Sequence, residues 1–129
     1  MSNKQIVSKI ENRAQFFNML QLNPGLIIIK FGANWCKPCK KIKQHVESFF
    51  SQTPTNIVCC DIDIDECDEV YTYLRSKRIV SGIPTILCYK KGNFEYAPDD
   101  SFSGTEINSL ESFFRRCAIY SKEFSKNVP

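Results

Sequence analysis

The sequence has one histidine, no internal repeat, no low-complexity block and no apolar run long enough to cross a bilayer. Each absence closes off a class of function. Without a long apolar run there is no helical membrane span, and a membrane role is not expected. The formal charge of +3 is too mild for a nucleic-acid protein, in which a clustered basic face is expected. The start, Met1-Ser2-Asn3-Lys4-Gln5, runs into polar sequence without the apolar core of a signal peptide. A leaderless, cytoplasmic chain is therefore expected. With 43% apolar and 24% charged residues the composition is that of an ordinary globular protein, which argues against disorder. The 129 residues fit one domain, expected over 1–120, with a polar tail over 121–129. A core of that size needs neither disulfides nor metal to fold.

Cysteine is what the chain has in excess. Seven is an odd number and does not pair off into a secreted disulfide framework. In a leaderless chain most of these thiols are expected to be reduced. Two stand out by spacing, Cys36 and Cys39, in the run Trp35-Cys36-Lys37-Pro38-Cys39.

The surrounding pattern places that pair. Residues 5–10 read as a short edge strand. Asn12 with Gln15 reads as a capping box, followed by the helical stripe Phe16, Phe17, Leu20. Asn23-Pro24-Gly25 is a stop, and 26–31 is a short, branched, nearly continuous apolar run, the mark of a strand buried on both faces. A helix is expected from about 36 to 51, with Ile42, Val46, Phe49 and Phe50 on its inner face. Pro38 falls in its first turn, where a missing N–H costs little. Residues 56–62 read as a second buried strand. A helix capped by Asp65 is expected over 66–76, and a strand over 83–90. Lys91-Gly92-Asn93 reads as a hairpin turn, leading to a strand between 94 and 102. The stripe Ile107, Leu110, Phe113, Phe114, Cys117 marks a terminal helix. The order βαβαβαββα predicts an α/β fold, one mixed sheet with helices on both faces.

The cysteine pair therefore lies at a strand-to-helix junction. The first turn of a helix carries unpaired N–H groups and partial positive charge, which stabilise a thiolate. The spacing puts Cys36 at the exposed tip and Cys39 one turn in, near enough to close a short disulfide. Exchange needs a thiolate attack, a mixed disulfide and a second attack, and one such pair supplies both thiols. The setting is basic: Lys30, Lys37, Lys40, Lys41 and Lys43 fall in this stretch with no acid among them. Lys37, between the two cysteines, favours the thiolate. Lys41 reads equally well as part of a solvated helix face.

The competing reading is half of a zinc site. Zinc wants four ligands, usually from two such pairs, and no second pair with ligand spacing is present. Metal is therefore not expected. Cys59 and Cys60 are strand neighbours pointing to opposite faces, Cys88 lies in a strand and Cys117 in the last helix. All four read as small core residues. Cys67, near a helix start, also reads first as structural; the alternative is an exposed thiol open to oxidation, which Asp65, Glu66 and Asp68 oppose by disfavouring its ionisation. His45 has no triad partners in the pattern and reads as solvated.

The run Phe31-Gly32-Ala33-Asn34-Trp35-Cys36-Lys37-Pro38-Cys39-Lys40 resembles the active-site signature of the thioredoxin family. Gly82-Ile83-Pro84-Thr85-Ile86-Leu87 and Tyr89-Lys90-Lys91-Gly92 resemble its cis-proline strand and hairpin, and the likeness extends over about residues 6–117. It implies the thioredoxin fold, a central mixed sheet of four to five strands flanked by helices on both faces. It also implies a role for each matched residue. Cys36 is the nucleophile, Cys39 resolves, and the pair cycles through a Cys36–Cys39 disulfide with no bound cofactor. Trp35, Ile83 and a cis Pro84 meet an extended substrate. The implied partners are disulfide-bearing proteins and an electron donor, either a thioredoxin reductase or a glutathione system, acting on a monomer.

Several positions depart from the family pattern. Thioredoxins usually carry a buried Asp where this chain has Lys30, and a Gly where it has Lys37. Lys30 either snorkels its amine to the surface or lies near the thiols and stabilises thiolates. The second reading, with Lys37 and Pro38 beside the pair, predicts a potential above the roughly −270 mV of thioredoxins, near about −230 mV. Gln44 stands where a kinking Pro is common, and the stretch 68–81 looks a few residues long. Three functions compete: a general protein-disulfide reductase, a glutathione-coupled or more oxidising exchanger, and a thioredoxin-fold module that docks a partner.

Overall fold

The computed structural model describes residues 4–125. The elements are β1 (Ile6–Val7), α1 (Arg13–Gln21), β2 (Leu26–Gly32), α2 (Lys37–Ser51), β3 (Ile57–Asp63), α3 (Glu69–Ser76), β4 (Thr85–Lys90), β5 (Asp100–Ser103) and α4 (Ile107–Ser125). They form one five-stranded sheet in the order β1-β3-β2-β4-β5. β3 pairs parallel with β1 and β2, while β4 runs antiparallel to β2 and β5 to β4. The sheet is thus mixed, and every residue of its central strand β2 is buried.

Alternation along the strands divides the core in two. Ile27, Ile29 and Phe31 of β2 join Phe16 and Leu20 of α1 and Val70, Tyr71 and Leu74 of α3 on one face. Leu26 and Ile28 join Ile42, Val46 and Phe50 of α2 and Leu110, Phe113 and Phe114 of α4 on the other. Phe49 and Phe114 stack at 4.1 Å across the two helices of that second layer.

Local chemistry sets the element ends. Asn12 caps α1 by accepting from the Gln15 N–H at 2.9 Å, and Gln15 Oε1 reaches back to the Glu11 N–H. The turn before β2 is held by buried Asn23, which donates to Tyr89 O and accepts from the Gly25 N–H. Gly25 is obligatory for space, since a Cβ there would lie 2.8 Å from the Asn56 carbonyl oxygen.

Several expected boundaries move, among them β4, which begins at Thr85 and not at 83, and β5, which occupies Asp100–Ser103 at the far end of the expected 94–102. The edge strand shrinks to Ile6–Val7. α3 begins at Glu69, after Asp68 and not after Asp65, because Glu66 and Cys67 N–H groups turn back to Asp63 O. The tail boundary at 120 is also too early. α4 runs to Ser125, with Ser121 buried and its carbonyl bonded by Asn56 Nδ2 at 2.9 Å. Residues 1–3 and 126–129 of the expected domain and tail lie outside the described residues.

Candidate active site

The site is built where β2 hands over to α2. β2 ends at Gly32, a short loop follows, and the Cys36 N–H bonds to Ala33 O at 3.2 Å. Cys36 then caps α2 in an extended conformation, its Sγ accepting from the Cys39 N–H at 3.2 Å. A sulfur thus occupies the place that a Ser or Asp oxygen normally takes at a helix start. Pro38 in the first turn sacrifices no hydrogen bond. Cys36 and Cys39 are joined as a disulfide, with Cα atoms 5.3 Å apart.

Both sulfurs are more enclosed than the spacing predicts. Cys36 is 3% and Cys39 5% exposed. The reason is tertiary: the loop before β4 lies over the pair. Its Ile83–Pro84 peptide bond is cis, Pro84 is buried, and Ile83 O stands 4.0 Å from Cys36 Sγ. That loop is held by Thr85 Oγ1 donating to Gly82 O and by the Gly104 N–H donating to Pro84 O. Trp35 lies beside the pair, 65% exposed, and its indole N–H donates to Asp65 Oδ2 at 2.7 Å.

Cations dominate the helix start. Lys37, Lys40, Lys41 and Lys43 are exposed, and the first turn of α2 has no acid. This opposes the helix dipole, so the arrangement disfavours the helix while favouring an anion at its tip. Lys30 does not snorkel. Its side chain is 9% exposed and its Nζ lies 3.4 Å from Asp61 Oδ1. The two residues are direct register partners across β2 and β3. A cleft of about 450 Å³ opens beside them, lined by Lys30, Gly32, Cys39, Lys40, Asp61 and Asp63 among others.

The pattern singled out neither Asp61 as the partner of Lys30 nor Asp65 as that of Trp35. A signal existed for the first: Asp61 shares the strand parity of Ile57 and Cys59, which puts it on the face under α2. Cys67 is 7% exposed, because the turn to Asp63 O carries it inward, and the alternative of an exposed thiol there does not hold. Cys59, Cys60, Cys88 and Cys117 are buried too. Burial raises the Cys59 and Cys60 thiols. A hydrogen bond with Cys88, together with burial, raises Cys117. Such thiols are poor nucleophiles. His45 Nδ1 faces Glu111 Oε1 at 3.3 Å, linking α2 to α4. Among the described residues no three His, Cys, Asp or Glu side chains gather to hold a metal.

The family model described as Thioredoxin matches residues 7–116. The chain belongs to the thioredoxin family. It is 34% identical to thioredoxin 1 of Plasmodium falciparum over 113 residues, which is 88% of this chain and 99% of that protein. It is 32% identical to horse (Equus caballus) thioredoxin over 108 residues, 83% of this chain and 94% of the other. Among solved structures, a Plasmodium falciparum thioredoxin superposes with a TM-score of 0.64 at 28% identity, covering 85% of this chain and 98% of that one. This thioredoxin-family chain is accordingly a thiol–disulfide oxidoreductase, of a family that works through a cysteine pair and needs no bound cofactor.

Proposed function

We propose that the chain reduces protein disulfides, with Cys36 as nucleophile and Cys39 as resolving thiol. The observation that carries this reading is the cap of α2, where Cys36 Sγ receives the Cys39 N–H at 3.2 Å and is bonded to Cys39. In the reduced state that N–H, the helix terminus and nearby Lys37 favour the Cys36 thiolate. The thiolate attacks a substrate disulfide and expels one substrate thiol. Cys39 then attacks Cys36, releasing the second thiol and forming the internal disulfide. Trp35 and the Ile83–Pro84 loop flank the pair and receive an extended substrate segment, with Ile83 supplying backbone contacts. The substrates are disulfide-bearing proteins. The electrons come from a thioredoxin reductase or from glutathione, and the protein works as a monomer in the cytoplasm. Five free thiols alongside the one disulfide suit a reducing compartment.

The test is dithiothreitol-driven reduction of insulin, with wild type and Cys36→Ser compared. Strong acceleration by wild type, lost in Cys36→Ser, supports the proposal. No acceleration by fully reduced wild type sinks it and leaves the partner-docking reading.

Buried Lys30 favours a second form of the same activity, a more oxidising exchanger. Cations that stabilise the reduced pair raise its potential above the roughly −270 mV of thioredoxins, toward about −230 mV. Equilibration in glutathione redox buffers measures it. A value at or below the thioredoxin figure rejects this form.

A further inference from the structure

The alternation of β2 puts Leu26, Ile28, Lys30 and Gly32 on the face covered by α2, as it does Ile57, Cys59 and Asp61 of β3. Lys30 stands on that face near the level where α2 begins. Gly32, the next residue on the face, has no side chain. A Cβ built there would lie 3.4 Å from Cys39 Sγ and 3.7 Å from Lys30 Nζ, and no other charged atom is nearer to that point. The glycine thus leaves a small gap with both the buried ammonium and the inner sulfur within 4 Å of it, and all three residues line the solvent cleft.

We propose that Lys30 is a positioning residue for the resolving step: its ammonium holds Cys39 as a thiolate while Cys36 is bonded to substrate, and Asp61 holds the ammonium in place. This rests on the exchange reading above. In the mixed disulfide Cys36 carries no charge, and Cys39 must lose a proton before it can attack. That proton leaves through the cleft to water. The thiolate electron pair forms the bond to Cys36 Sγ, the bond from Cys36 to the substrate sulfur breaks, and the substrate leaves as a thiolate that takes a proton from water. No further oxidant or reductant is needed.

Cys39 is 5% exposed, so water solvates its thiolate poorly and a fixed cation has to substitute. The other charged groups on the cleft do not supply one in sum. Lys40 and Lys43 of α2 face it, but so do Glu47 of α2, Asp61 and Asp63 of β3 and Glu66 beyond β3. Carboxylates outnumber lysines there, and the short-range ammonium is what tips the balance.

Stopped-flow reaction of the reduced protein with 5,5′-dithiobis(2-nitrobenzoic acid) separates the steps. The first chromophore is released when Cys36 attacks, the second when Cys39 resolves. In Lys30→Met the ratio of second to first rate at neutral pH is expected to fall about tenfold or more, and the midpoint of the second step to move up by about one pH unit or more. Lys30→Arg is expected to restore the wild-type profile. Lys30→Met keeps an aliphatic stem of similar volume. A thermal melt checks that it folds, and Lys30→Gln serves in its place where it does not. Coincident second-step profiles for wild type and the neutral variant overturn the inference while leaving the exchange reading intact. Absence of the first release in wild type overturns both.

Discussion

Arg78 adopts a left-handed backbone, φ +62°, that side-chain-bearing residues rarely take. It closes α3: its own N–H bonds to Arg75 O at 3.0 Å and the Ile79 N–H to Leu74 O at 2.9 Å. This is a Schellman ending with Arg where Gly is usual. Arg78→Gly relieves about 1–2 kcal/mol of backbone cost and gives back about 0.4–1 kcal/mol to the unfolded chain. A net gain of about 0.5–1 kcal/mol is expected in urea melts. Asp100 is the second residue with a measurable signature. Arg116 grips it at 2.7 and 3.0 Å, and the Tyr120 hydroxyl donates to it at 2.7 Å. The Arg116 bond, against partial burial, holds its carboxyl below the usual range. The folded state therefore favours the ionised form. Its contribution is complete above the unfolded value of about 3.9 and is lost as pH falls below it. The bond to Asp100 pushes Tyr120 up to about 12. That contribution is complete below the unfolded value near about 10 and lost as pH rises through 12. Asp100→Asn is expected to cost about 1–2 kcal/mol near neutrality and to flatten the acid limb of stability below about pH 4, as measured by denaturant melts across pH.

At the scale of elements, the end of α4 is held by Asn56 and by Lys90, whose ammonium lies 3.9 Å from Glu123 and 4.3 Å from the Tyr120 ring. Asn56, just before β3, donates to Ser121 O and its own carbonyl accepts from the Leu26 N–H. Asn56→Ala is expected to cost about 1 kcal/mol and to speed amide exchange over 121–125 by severalfold. The order of elements was legible in the sequence because periodicity changes cleanly between 2 and 3.6 along it. The buried run of β2, the Asn12 cap and the Cys36–Pro38 helix start were all local signals. What was not legible depended on tertiary partners. The start of α3 shifts because Asp65 is engaged by Trp35 and Asp63 O gathers the following turn. The connection from β4 to β5 runs to Asp100 because Asn93 and Asp99 hold it as a loop. The Lys30–Asp61 pair follows from strand register, which a single sequence does not print.

For the whole molecule, the two-layer core decides which thiols can react. The sheet carries Cys59 and Cys88 into the layer under α2 and α4, Cys117 comes from α4 itself, and Cys60 and Cys67 lie in the layer under α1 and α3. Alkylation of the reduced native protein is therefore expected to add one group quickly, at Cys36, whose thiolate the start of α2 favours, while the fully buried Cys59, Cys60, Cys88 and Cys117 react only in denaturant. Mass spectrometry before and after denaturation counts them. Rapid labelling of Cys59, Cys60, Cys88 or Cys117 contradicts the burial described here.

The position of Trp35 has a practical consequence. It is the one tryptophan in the chain, it adjoins the cysteine pair, and its indole is tethered to Asp65 and otherwise open to water. A disulfide close to an indole drains its excited state, and two thiols do so less. The protein therefore carries its own optical reporter: the emission of native, unlabelled molecules should brighten as the pair is reduced, so that each turnover can be followed by light alone.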